Sequence, residues 1–299
     1  MYIEKTFAQK LRSFLTFAAF PLFAFTVVLV IPFLVGVFLS FTDWNGIQPI
    51  DSFDYHLIGL SNFTAALSDP TYISTLGLTF AYVMLVVVIT NVIAFLIAVL
   101  VTSNLPARNF FRAAFFVPNL IGGVILGFIW QFIFTTFITR IGDIFGIPAL
   151  QFSWLVETNK AFVALVIVGV WQLSGYMMLI YIAGLVGIPE EVVEAAKIDG
   201  ASVLQQMVSV KIPLMIQAFT ISVFLTLRNS FMVFDVNLSL TRGGPFRSTE
   251  MATLHIYNEA FISQHFGTAQ AQAIILFVIV AVVATTQVII SKRLESRML

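Results

Sequence analysis

Residues 72–101 read YISTLGLTFAYVMLVVVITNVIAFLIAVLV, thirty positions from Tyr72 to Val101 without a single charged side chain. A helix rises about 1.5 Å per residue, so roughly 20 residues cross the ~30 Å hydrocarbon layer of a bilayer. This stretch is long enough to do so with tilt to spare. Working outward from it, five more apolar stretches qualify: Phe14–Phe41, Ala113–Phe137, Ala161–Leu185, Ile212–Val236 and Thr268–Ser291. The predicted fold is an all-α integral membrane protein with six transmembrane helices. Phe14–Phe41 follows Lys5, Lys10 and Arg12 but is about twice the length of a signal-peptide core and lacks a cleavage site, so it reads as an uncleaved first span.

Composition agrees. Hydrophobic residues fill 59% of the 299 positions and charged residues only 10%, against roughly 25% charged in a soluble domain. Net charge is zero, which points to neither nucleic acid nor an acidic partner. The absence of cysteine excludes disulfides and thiolate chemistry. His56, His255 and His265 fall in expected loops and read as solvated residues, so no metal site is expected.

The cations set the expected orientation. Lys5, Lys10 and Arg12, then Arg108 and Arg112, then Lys197 and Lys211, and finally Lys292, Arg293 and Arg297 alternate with segments holding only Arg140, Lys160, Arg242 and Arg247. The first connection, Asp43 to Pro70, has four aspartates and no Lys or Arg. Both termini are therefore expected in the cytoplasm, with a tail at 1–13, a membrane domain at 14–291 and a second tail at 292–299.

Two ionisable residues fall within a predicted span, Arg228 and Asp235, seven positions apart and so on a similar face of one helix. They read either as a polar stripe along a cavity or as an interfacial Asp235 with Arg228 bound to neighbouring carbonyls or a partner subunit. No Gly-Lys dipeptide occurs, so no phosphate-cradling loop is present. The spans carry no Glu, and no paired-carboxylate or Ser/His/Asp set shares one depth, so neither an ion-coupled carrier nor an enzyme is favoured. A driving force from another subunit is the expectation.

The connection 186–213 is the most distinctive segment. Pro189 suits a first helical position, Glu190 and Glu191 complement the helix dipole, and Gly200 can take a positive φ and end the helix. A second helical stretch follows, and Pro213 marks its passage into the fifth span. Such a helix could seat in a groove on a cytoplasmic partner, or lie in the membrane interface without one.

Glu194-Ala195-Ala196, three residues, Gly200, nine residues, then Val210-x-Ile212-Pro213 resembles the EAA loop of ABC importer permeases, EAA-x3-G-x9-I-x-L-P, with Val for Ile at 210 and Ile for Leu at 212. Phe111-Arg-Ala-Ala-Phe-Phe-Val-Pro118 with Trp130, the Trp171 to Gly187-Ile-Pro189 segment, and Leu240-Thr-Arg-Gly-Gly-Pro245 followed by Ser248-Thr-Glu250 are similar to the carbohydrate-uptake, maltose-type branch. The resemblance implies the type I importer fold and a machine of two homologous permease chains, two ATPase subunits and an extracytoplasmic solute-binding protein. It implies no cofactor on this chain, since ATP and magnesium would sit on the ATPase. Glu194, Ala195, Ala196, Asp199, Gly200, Ala201 and Pro213 would couple to that ATPase. Alignment with a maltose-type permease would place Asn119, Gly123, Gln172, Leu173, Tyr176, Asn229, Ser230 and Val233 toward the sugar; Asn, Gln, Ser and Tyr suit it as neutral donors and acceptors. The expected cargo is a sugar, chiefly oligosaccharides. The alternatives are a phosphorylated polyol such as glycerol phosphate, to which Arg228 would be suited, and a self-sufficient channel or secondary carrier.

Overall fold

The computed structural model describes residues 7–46, 55–103 and 108–298. Among these, thirteen helical segments carry the chain: α1 (Phe7–Phe17), α2 (Ala19–Leu39), α3 (Ser61–Ser68), α4 (Pro70–Thr102), α5 (Arg108–Leu120), α6 (Gly123–Phe145), α7 (Thr158–Val186), α8 (Glu190–Ile198), α9 (Val203–Leu214), α10 (Ile216–Phe231), α11 (Asp235–Leu240), α12 (Ala252–Phe261) and α13 (Phe266–Met298). Five of them are long and apolar enough to cross a membrane, and the pair α9 and α10 makes a sixth if its bent halves are counted as one span. Lys5 and much of the first connection lie outside the described residues. The chain divides into two compact units, Met1–Asp69 with Ile256–Ile275, and Pro70–His255 with Leu276–Leu299.

In the first unit, α2 carries its apolar side chains outward: Phe20, Phe23 and Val28 are all exposed, as suits a helix whose solvent is lipid. The end of α2 is tied by Asn62, whose amide nitrogen donates to the carbonyls of Ser40 and Thr42 at 2.9 and 2.8 Å. The hydroxyl of Thr268, in the first turn of α13, donates to the amide oxygen of Asn62 at 3.2 Å. Trp44 and Phe266 close this end, with ring centroids 5.4 Å apart.

In the second unit, α4 and α7 pack side by side through small residues. A Cβ on Gly169 would fall 2.2 Å from the Tyr82 hydroxyl, so glycine alone admits that ring. Gly175 meets the backbone of α5 in the same way, a Cβ there falling 1.8 Å from the Phe115 carbonyl oxygen. Gly123 and Gly127, four apart on α6, admit Asp235 and Ser239 of α11, a close small-residue helix contact of the kind membranes favour. A buried polar knot binds three helices. The Asn91 side-chain oxygen accepts from Tyr181 at 2.7 Å and Ser222 at 2.6 Å, while its nitrogen donates to Thr226 at 3.3 Å.

The structure departs from the sequence-based expectations in three places. The third apolar stretch, expected as one span from Ala113 to Phe137, is broken at Ile121–Gly122. Pro118 removes a backbone donor and Gly122 turns extended, so α5 stops and the long helix runs Gly123–Phe145. The fifth is bent by 70° between α9 and α10, two residues after Pro213, and its helix ends at Phe231 rather than Val236. Finally, His255 is no solvated loop residue: it lies buried in α12, stacked on Tyr72 with centroids 5.8 Å apart and 3.5 Å from Glu250.

Candidate functional site

The breaks at Gly122 and Phe231 leave backbone and small side chains where continuous helices would have closed the bundle. A cavity of about 380 Å³ opens there, lined by residues of α4, α5, α6, α7 and α10 together with the turn into α11. Asn119, Gly123, Gln172, Leu173, Asn229 and Val233, all expected at the sugar, lie on its wall. Tyr176 and Ser230 do not. Tyr176 is 38% exposed on α7 away from the lining, and the Ser230 hydroxyl is buried with no hydrogen-bond partner among the described residues. Sequence reading missed Tyr82, Gly169, Met232, Phe234 and Val236, which complete the wall. Their place on the wall follows from helix contacts and the break after Phe231, which apolar runs do not encode.

Arg228 and Asp235 do not share a helix face, because the helix ends between them. The Arg228 guanidinium donates to the Asn229 side-chain oxygen at 3.1 Å, and the Asn229 amide nitrogen has no acceptor among the described residues. Asp235 opens α11 on the cavity wall beside Gly123, whose missing Cβ would lie 2.6 Å from that of Asp235. The helix break removes the continuous stripe, and among the described residues the Arg228 guanidinium bonds the Asn229 side chain and no backbone carbonyl.

The connection 186–213 forms a second feature. α8 starts after Pro189, which occupies the cap position one residue before the first helical turn, with Glu190 and Glu191 in that turn and Lys197 in the last. Gly200 has φ +79°, a left-handed conformation that favours glycine, and Ala201 returns its N–H to the Ala196 carbonyl at 3.0 Å. Ser202 and Gln205 then form a reciprocal cap that restarts the chain as α9. Glu194, Ala195, Asp199 and Gly200 are exposed, Ala196, Ala201 and Pro213 half-buried. Around them Ile198, Val203 and Leu204 are exposed at 86, 81 and 72%, an apolar surface that no described residue covers.

The loop 240–251 is held from beneath. Asn237 donates to the Thr249 carbonyl at 2.7 Å and accepts from the Met251 N–H at 3.0 Å. Glu250 is buried and paired with Arg247, while Phe246 at the tip is 96% exposed.

Residues 90–296 match the family described as binding-protein-dependent transport system inner membrane component. The chain belongs to that family: it is an ABC transporter permease, a multi-pass transport subunit of the inner membrane that works with a binding protein, and not an enzyme. Among similar proteins, "Probable starch degradation products transport system permease protein AmyD" of Thermoanaerobacterium thermosulfurigenes is 46% identical over 94% of both chains. The multiple sugar-binding transport system permease MsmF of Streptococcus mutans is 32% identical over 94% of this chain and 95% of its own. The sn-glycerol-3-phosphate permease UgpA of Agrobacterium fabrum is 29% identical over 78% and 80%. A solved bacterial ABC transporter involved in import of the acidic polysaccharide alginate shares the fold at a TM-score of 0.81, with 18% identity over 94% of this chain and 96% of that one.

Proposed function

We propose that this chain is a substrate-conducting permease of an ATP-driven sugar importer, with oligosaccharides as its cargo. The observation that carries the reading is the gathering of Asn119, Gln172 and Asn229, three neutral amides from three different helices, on one cavity. Neutral donors and acceptors at fixed positions suit sugar hydroxyls. The two relatives named for starch products and multiple sugars are matched at higher identity and coverage than the glycerol phosphate permease, which supports sugar over a phosphorylated polyol.

In this reading α8, with Glu194 and the exposed Ile198, Val203 and Leu204, seats in a groove on an ATPase subunit, and a second homologous permease completes the pore. The bound solute is handed over by the binding protein at the face where Phe246 projects. ATP-driven closure of the ATPase pair then rocks the spans between inward- and outward-facing states. The test is Gly200→Val in the complete importer reconstituted in proteoliposomes. A β-branched side chain resists φ +79°, so α8 loses its stop. ATP hydrolysis should persist while sugar uptake falls by about tenfold or more, as expected when a force-bearing element is misplaced. Normal uptake by that variant would remove α8 from the coupling path.

A further inference from the structure

Among the described residues, Asp235 is the one carboxylate on the cavity wall and no Lys, Arg or His joins it; the other lining residues are Tyr82, three amides, two glycines and apolar groups. Its carboxylate makes no hydrogen bond or ion pair among the described residues, and it is exposed. The cationic side chains nearest to it in sequence, Arg228 and Arg242, both lie outside the lining, and Arg228 donates to the Asn229 amide oxygen. Gly123 places the carboxylate. A Cβ there would stand 2.6 Å from the Asp235 Cβ and 3.3 Å from its Oδ2, so only glycine lets Asp235 lie flat against α6 with its oxygens on the cavity.

Resting on the sugar reading, we infer that Asp235 is the charge filter of the cavity: it accepts hydrogen bonds from hydroxyls of a neutral sugar and turns away anionic ones. A carboxylate accepts through two oxygens and donates through none, so adjacent sugar hydroxyls can both donate to it. A uronate or phosphate brought to the same wall meets a like charge in a cavity partly shielded from water, where repulsion is stronger than in bulk. The partner chemistry is thus a neutral polyhydroxylated ring, and the glycerol phosphate alternative is disfavoured by the wall itself.

The test uses the assembled permease–ATPase complex in nanodiscs without the binding protein, so that any selectivity belongs to the membrane part. Saturation-transfer NMR would compare maltotriose with trigalacturonate and with glycerol 3-phosphate. The wild type should favour maltotriose by about tenfold or more, since discrimination is a difference of affinities and one repelled charge supplies it. Asp235→Asn keeps the size and shape and should narrow that ratio to about twofold or less, by admitting the anions. A wild type that takes the anions as well as maltotriose overturns the inference, as does an Asp235→Asn variant that loses all ligands in proportion. A complex that takes no sugar, paired with a complete importer that moves none, overturns the sugar reading itself and the filter with it.

Discussion

Asn91 shows what a single polar residue does inside an apolar span. Its oxygen is shared by the hydroxyls of Tyr181 and Ser222, and neither has water to turn to. Asn91→Ala leaves both without that acceptor, at a cost of about 1–3 kcal/mol. The expected outcome is a melting temperature lowered by several degrees for the importer in nanodiscs, followed by intrinsic fluorescence, with Asn91→Gln intermediate. At this scale the sequence was partly legible. Asn119, Gln172 and Asn229 were singled out through the resemblance, and their neutral amides then suited a sugar. Tyr82 and Gly169 could not be, because each is explained only by the other: the ring fills the space the glycine leaves. His255 was misread for a similar reason, since its neighbours Tyr72 and Glu250 are set by folding and not by spacing along the chain.

Among the elements, the long apolar helices were readable from length and the lack of charge, and the stop at Gly200 from glycine's tolerance of positive φ. The breaks at Gly122 and Phe231 were not, because hydropathy is the same on either side of a turn. Pro118 and the paired glycines 122–123 were the available signal for the first, and Pro213 for the bend that follows it. The α8–α9 segment carries its own prediction. Ile198→Glu with Leu204→Glu puts two charges into the exposed apolar surface; ATPase subunits should then co-purify with the membrane chains at a small fraction of the wild-type yield, because a charge buried in an interface without a partner is costly. Unchanged recovery of the ATPase would mean that α8 does not dock.

For the whole molecule, the chain offers a cavity and exposed apolar helix faces but no phosphate-cradling loop. Liposomes containing this chain alone should show no sugar flux above protein-free controls, whereas adding the second permease, the ATPase and the binding protein should give ATP-dependent uptake. Flux from the chain alone would favour the channel or carrier alternative. The class of machine was legible from 186–213 because its motif combines chemistry with position, between the fourth and fifth apolar runs. The place of Asp235 on the cavity wall was legible only as one of two readings, because hydropathy does not mark the end of the helix before it.

The 70° bend at Met215 has a mechanical meaning. Displacement along the axis of α9 is mostly transverse to α10, so under the proposed coupling a push on the connection would swing α10 like the far arm of a bell crank. Swinging keeps an apolar helix at its depth in the bilayer, where sliding it lengthwise would expose apolar side chains at one end and drag polar ones inward at the other. Under the proposed coupling, a straight helix across Pro213 would deliver the push as a piston stroke against the membrane, whereas the bent one would turn it into opening and narrowing of the space beside Asn229.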